Sequence, residues 1–296
     1  MIGRSNTLKS ARLRSRHKKI FVWKISLVLL CLVMIWTGTS WTFNRSAIVI
    51  QKFEIFGTED VLSSDIASTA EKLLLGEYLF TIPRSSIFFY PKRNIESTIL
   101  KEYPRVEKVS IGFSNFHTIS ISIKERGTGA LWCNLLKVET GLSIEKELDD
   151  CYLLDRNGYI FEKLDPSKSS TSEVLKMMLS SHYPSVIKFY GGVTGENIIG
   201  QSYGTSVEFD AKLSFASRLE EIGLIPLLFR ERSDGAEEVM LVGGTRLIFL
   251  PKAGFDTILA NLLTVITDPD FGGINKADKV DYFDLRFGSK VIYRSK

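Results

Sequence analysis

The pentapeptide Gly200-Gln201-Ser202-Tyr203-Gly204 has the spacing of a nucleophile elbow, in which a tight turn exposes a serine to a histidine that takes its proton. That chemistry needs a helix straight after the serine and a histidine later in the chain. Thr205 to Phe209 reads as extended, and His182 is the last histidine, so the pentapeptide reads as a turn. Asp155-Arg156-Asn157-Gly158 opens like a calcium loop but has no Glu at the twelfth position, and a hairpin turn suffices. Gly288-Ser289-Lys290 lacks the earlier glycine of a phosphate loop. His17, His117 and His182 are too scattered to suggest a metal cluster, and Asp268 and Asp270 read as solvated loop carboxylates. No catalytic residue, metal ligand or cofactor is expected, and binding is favoured over catalysis. The rival is a membrane-anchored cell-wall enzyme whose acid–base site is built from distant carboxylates, which leaves no local pattern.

Cysteine chemistry is the other candidate. Cys133 and Cys151 flank a polar insertion, Asn134 to Asp150, between two strand-like stretches. A disulfide there closes a loop of about 18 residues and stabilises by roughly 3 kcal/mol if unstrained. Two unpaired thiols are the alternative. Cys31 lies in an apolar run and acts as a small apolar residue.

That run, Ile25 to Asn44, is the element that places everything else. It holds 20 residues without a charge. At about 1.5 Å per helical residue it reaches roughly 30 Å, the hydrocarbon thickness of a bilayer. Residues 1–45 carry nine positive charges and no negative one, most of them in a basic tail over 1–24. Positive flanks resist translocation, so the tail is expected in the cytoplasm and the bulk of the chain outside the cell membrane. A cleaved signal peptide is the alternative, with Gly38 and Ser40 small enough for a cleavage site. The run exceeds a signal core of about 7 to 15 residues, which favours an uncleaved single-pass anchor. Taking nine from the net charge of +4 leaves −5 for the remainder. The basic character is therefore local, and it points to the lipid bilayer rather than to nucleic acid, for which no binding is expected.

After the anchor, two folded units are expected, over 47–126 and 127–296. In the first, Val49 to Phe56 reads as a strand ended by Gly57. Ser63 or Ser64 can cap a helix with Ile66, Ala70, Leu73 and Leu74 on its apolar face, and Gly76 closes it. A second helix after Pro91 carries Ile95, Ile99 and Leu100. Val109, Ile111 and Phe113 then share one face of a strand, Ser114 to His117 turn, and Ile119, Ile121 and Ile123 alternate with polar residues. The order is β-α-α-β-β.

The second unit opens on a strand at Leu131, Trp132 and Cys133 and continues with a strand-turn-strand from Tyr152 to Phe161. Glu173 to Leu179 reads as helical and Val186 to Tyr190 as a strand. Asp210 can cap a helix bearing Leu213, Ala216, Leu219 and Ile222. Strands Glu238 to Val242 and Thr245 to Pro251 meet at Gly243-Gly244, and a helix runs from about Phe255 to Thr267. Val280 to Leu285 and Lys290 to Arg294 close a mixed α/β domain on an antiparallel-rich sheet that ends in a hairpin. The fold class is α+β.

Several of these pieces carry a likeness. The β-α-α-β-β order, Gly57, the Tyr103-Pro104-Arg105-Val106 step and the Lys124-Glu125-Arg126 exit resemble a POTRA domain of the FtsQ/DivIB family of bacterial cell-division proteins. Tyr152 to Phe161 (YLLDRNGYIF) is similar to that family's strand-turn-strand after the POTRA unit, and Tyr282 to Arg294 (YFDLRFGSKVIYR) to its terminal hairpin. With the basic tail and single span, the likeness covers nearly the whole chain. It implies a scaffold at the division septum. The last strand would accept a strand of FtsB, itself paired with FtsL, and the POTRA unit would meet other division proteins. Arg286, Phe287, Lys290, Ile292 and Tyr293 are the implied partner-binding residues, with Ile292→Pro expected to remove an edge N–H. Phe88, Phe89 and Tyr90 are the candidate POTRA surface, unless they fill the core. A POTRA adaptor for protein transport is the further alternative.

Overall fold

A computed structural model describes residues 11–43, 48–78, 82–134, 151–165 and 186–296. The protein is mixed α+β, with an N-terminal apolar helix and a large antiparallel-rich sheet. It divides into two compact units. The first comprises 1–57, 62–99 and 109–123, and the second 58–61, 100–108 and 124–296.

Helix α1 runs from Ala11 to Phe43, and its stretch Lys19–Gly38 is long and apolar enough to cross a membrane. The helix thus starts well before the expected Ile25. Lys, Arg, Ala and Leu are all good helix formers, so the edge of the apolar run at Lys24 is not an edge of the helix.

The rest of the first unit is a three-stranded sheet with two helices. Strand β1 (Lys52–Phe56) leads to α2 (Ser63–Leu74), a small hairpin of β2 (Glu77–Tyr78) and β3 (Ile82–Pro83), α3 (Lys92–Glu102), β4 (Val106–Asn115) and β5 (Thr118–Glu125). The sheet order is β1-β5-β4, with β1 parallel to β5 and Ile55 beside Ile121. Ile66, Ala70, Ile95, Ile99, Ile111, Ile119 and Ile121 are buried.

Four local expectations differ from this. Val49 lies outside β1, in an isolated bridge to Ser86. Leu62, not a serine, is the N-cap of α2, and no side chain caps it. Leu100 and Phe113 are exposed although they fall on apolar spacings, because periodicity does not say where a neighbouring element stops. The β2–β3 hairpin is too short to leave a periodic trace.

The second unit contains β6 (Ala130–Cys133), β7 (Cys151–Leu154), β8 (Ile160–Lys163), β9 (Lys188–Tyr190), α4 (Ser206–Glu221), β10 (Pro226–Glu231), β11 (Glu237–Leu241), β12 (Arg246–Phe249), α5 (Phe255–Ile266), β13 (Val280–Phe287) and β14 (Lys290–Ser295). All nine strands form one sheet in the order β14-β13-β12-β11-β10-β9-β6-β7-β8. Gly243 and Gly244, at φ 91° and 81°, supply the left-handed turn between β11 and β12. Strand β10 was not expected from the sequence. Glu173 to Leu179 lies outside the described residues.

One row of side chains crosses eight of these strands. Tyr152, Trp132, Phe189, Phe229, Val239, Leu247, Phe283 and Tyr293 are successive neighbours. Apolar residues of α4 and α5, among them Phe215, Leu219, Leu259 and Leu262, join this row in the main core. Burying so large an apolar face is the dominant favourable term for the unit.

Helix α4 begins at Ser206, so the stretch read as extended is helical. Thr205 Oγ1 accepts the Glu208 N–H at 3.2 Å and Glu208 Oε2 accepts the Thr205 N–H at 3.0 Å, a complete capping box. The Thr-x-x-Glu signal was present and outranks Asp210 as a start.

The segments 58–61, 100–108 and 124–126 cluster with the second unit, against an expected boundary at 126. Arg105 ties these segments together. Its Nε donates to Glu125 at 2.9 Å, its other nitrogens pair with Asp60 and Glu162, and its guanidinium lies 5.6 Å from the Phe161 ring. Glu125 also accepts the backbone N–H groups of Glu59 at 2.7 Å and Val61 at 3.0 Å. Burial pushes the Glu125 carboxyl up, but these N–H donors and Arg105 outweigh it and hold it below the usual carboxylate range.

Candidate functional site

Strand β14 ends the nine-stranded sheet, and among the described residues β13 is its one neighbour. The hairpin is placed from the helix layer. Asn261 of α5 donates to the Gly288 carbonyl at 2.7 Å, and Val291 packs against the main core.

The direction of the edge groups follows from one bond. Lys296 donates its N–H to the Lys279 carbonyl at 2.9 Å, so the Lys296 N–H points toward β13. The register irregularities between Val280 and Tyr282 and between Asp284 and Phe287 place the extra residues on β13, so β14 itself alternates regularly. Period two then turns the N–H groups of Arg294, Ile292 and Lys290 inward and those of Val291, Tyr293 and Ser295 away from the sheet. Ile292→Pro would therefore break a bond inside the sheet. The Ile292 N–H is thus an interior group, not the edge N–H expected from the sequence.

Side chains divide the same way. Tyr293 is half exposed, and its ring lies 5.4 Å from Phe271 and 6.0 Å from Phe283, so it closes the apolar row at the open edge. Ile292, on the opposite face, stands beside Asp284. Phe287 is 53% exposed, with the Arg286 guanidinium 5.7 Å from its ring, and Lys290 is exposed.

Arg286 does not offer a spare charge. It forms two bonds to Asp284, at 2.6 and 2.9 Å, and one to Asp234 at 3.1 Å. The Arg286 hydrogen bonds hold Asp284 below the usual carboxylate range despite its burial. Asp234 links on to Arg232, which with Arg230 neutralises the fully buried Glu238. This chain of alternating charges covers the sheet face opposite α4 and α5 beside the hairpin.

The catalytic candidates of the sequence are not assembled. A helix does begin four residues after Ser202, which removes one ground against a nucleophile elbow. Ser202 nevertheless sits in an isolated bridge to Tyr159, preceded by irregular backbone instead of a strand, and no histidine follows His182. Asp155 Oδ1 accepts the N–H groups of Asn157 and Tyr159 at 2.8 and 3.0 Å, and its other oxygen pairs with Arg126, so its carboxylate belongs to its own turn. Asp268 likewise accepts the Asp270 N–H at 2.8 Å. Among the described residues no group of three or more His, Cys, Asp or Glu is placed to hold a metal ion.

Cys133 and Cys151 face each other across β6 and β7 and are joined as a disulfide. Phe88 and Phe89 are exposed, so they do not fill the core. Compared with protein-family models and with curated proteins, the sequence matches none.

Proposed function

We propose that the protein is a membrane-anchored, non-enzymatic scaffold of the bacterial division machinery, of the FtsQ/DivIB type, that receives a partner strand along β14. One observation carries this reading: among the described residues no strand pairs with the outer side of β14, along which three N–H groups point outward, and the apolar row of the sheet ends there in the half-exposed Tyr293. A guest strand would satisfy those groups and extend the row, the physical basis of β-augmentation. Tyr293, Ile292 and Phe287 supply side-chain contacts. Lys290 and Arg294 favour an acidic partner segment, whereas Arg286 acts by fixing the ionic face beside the hairpin.

The strand order β1-β5-β4 with two helices supports a POTRA reading of the first unit. Helix α1 supports a single-pass anchor, and the basic residues before it support a cytoplasmic N-terminus. By the likeness, the β14 partner is FtsB-like and paired with an FtsL-like chain, while other division proteins dock on the POTRA unit.

Fluorescence imaging of the protein in its host, with affinity capture of the full-length chain with and without Ser295→Pro, tests this. The expected result is mid-cell localisation and a co-purifying division protein that the substitution releases. Wall-polymer turnover by the protein would support the anchored enzyme instead, and co-purification with translocation proteins the transport adaptor.

A further inference from the structure

In the first unit, three exposed phenylalanines line one groove, and an exposed fourth, Phe89, follows one of them in sequence. Phe88 is 62% exposed, Phe113 64% and Phe116 69%. Phe88, Tyr90, Lys92, Phe113 and Phe116 line an open groove of about 590 Å³. Tyr90 meets Phe113 edge-on at 6.0 Å, and Lys92 Nζ donates to the Ile111 carbonyl at 2.6 Å, so the groove has a formed wall. Contiguous apolar surface of this kind is rarely left to water unless something covers it.

The chain's own connectivity points to what covers it. The backbone enters this unit between the two halves of the aromatic patch. Ile87 donates to the Ile48 carbonyl at 3.0 Å, which places Phe88 one residue beyond a bond to the entering chain. Gln51 donates to the His117 carbonyl at 2.8 Å, which places Phe116 one residue away on the other side. The membrane-spanning candidate α1 ends at Phe43. Five Cα steps separate Phe43 from Ile48, and at 3.8 Å each they reach at most about 19 Å along any path. Ile48, between the two halves of the patch, is therefore tethered within about 19 Å of the end of α1, which runs five residues beyond the apolar stretch ending at Gly38.

We propose that this patch is a lipid-contact surface: the rings of Phe88, Phe89, Phe113 and Phe116 enter the outer interface of the bilayer that α1 spans, with Tyr90 and Lys92 at headgroup level. Rings with a polar tip and a cationic side chain suit that depth. Each buried ring adds apolar burial without a protein partner, and the short tether supplies a high effective concentration of the surface. The consequence is orientational, because a unit held by both a helix and an aromatic footprint cannot swing freely about its linker.

The test uses the full chain in vesicles of phosphatidylethanolamine and phosphatidylglycerol, with a nitroxide at Asn115→Cys in a Cys31→Ser background. All four phenylalanines are kept. The ratio of oxygen to nickel-chelate accessibility is expected to be several-fold higher at this position than at a Ser97→Cys control on the exposed face of α3. It should fall to the control level when the four phenylalanines become serine. A label at native Cys31 reports the anchor separately, so loss of its lipid signal would refute the span and not the patch. A water-like ratio at position 115 overturns the proposal. So does shielding that disappears on diluting the protein in lipid, which would identify a second copy as the cover.

Discussion

Tyr293 stands directly opposite Phe283 at the open margin of the nine-stranded sheet, the last of eight side chains that run from strand to strand across it. Its ring has protein on one side and solvent on the other. Truncation to alanine is expected to cost about 1–2 kcal/mol of stability, since half the ring is already exposed. If a guest strand covers it, the loss in binding is larger, about 2 kcal/mol or roughly 30-fold in Kd. Thermal melts and calorimetric titration with the captured partner separate the two.

Backbone substitutions along the same strand have opposite expected signatures. Ser295→Pro removes an N–H that points away from the sheet, and proline is tolerated at such an edge position. Partner binding should weaken while the melting temperature stays near that of the parent. Ile292→Pro removes an N–H that faces β13 and should lower stability by about 1–3 kcal/mol. Equal destabilisation by the two would refute the assigned alternation.

Arg105 is expected to be among the costliest surface-proximal residues to replace. Arg105→Met leaves Asp60, Glu125 and Glu162 without their shared cation, and breaking such a pair typically costs about 3–5 kcal/mol. Urea unfolding measures it.

Acid sensitivity follows from the partner of that arginine. Because the folded Glu125 carboxyl lies below the usual range, its contribution to stability is complete above the unfolded-state value of about 4.3. It is lost as pH falls from there through the lowered folded value. Stability measured from pH 7 down to pH 3 should drop in that window, and Glu125→Gln should flatten that part of the curve.

The β6–β7 disulfide and Gly57 give two further magnitudes. With Cys133 and Cys151 separated by 18 residues, replacing both by serine should cost about 3 kcal/mol through the added freedom of the unfolded chain. Gly57 has φ +80°, and a Cβ there would lie 2.2 Å from the Ile123 carbonyl oxygen. Gly57→Ala should therefore destabilise the first unit by at least about 2 kcal/mol, read as a lower denaturant midpoint.

Residue order by itself determined the apolar span, the β4–β5 and β13–β14 hairpins, helix α5 and the Gly243-Gly244 turn, because each rests on local chemistry: periodicity, charge, or a backbone angle that glycine alone adopts cheaply. Even the start of α4 was written locally, in Thr205 and Glu208. Tertiary structure decided the rest. The pairing of β9 with both β6 and β10, the edge position of β14, the engagement of Arg286 by Asp284 and Asp234, and the exposure of Phe113 and Phe116 all depend on which distant segment arrives beside each residue. A strand's sequence encodes which side chains share a face, but whether its backbone has a neighbour is a property of the sheet, and here the proposed site rests on that property.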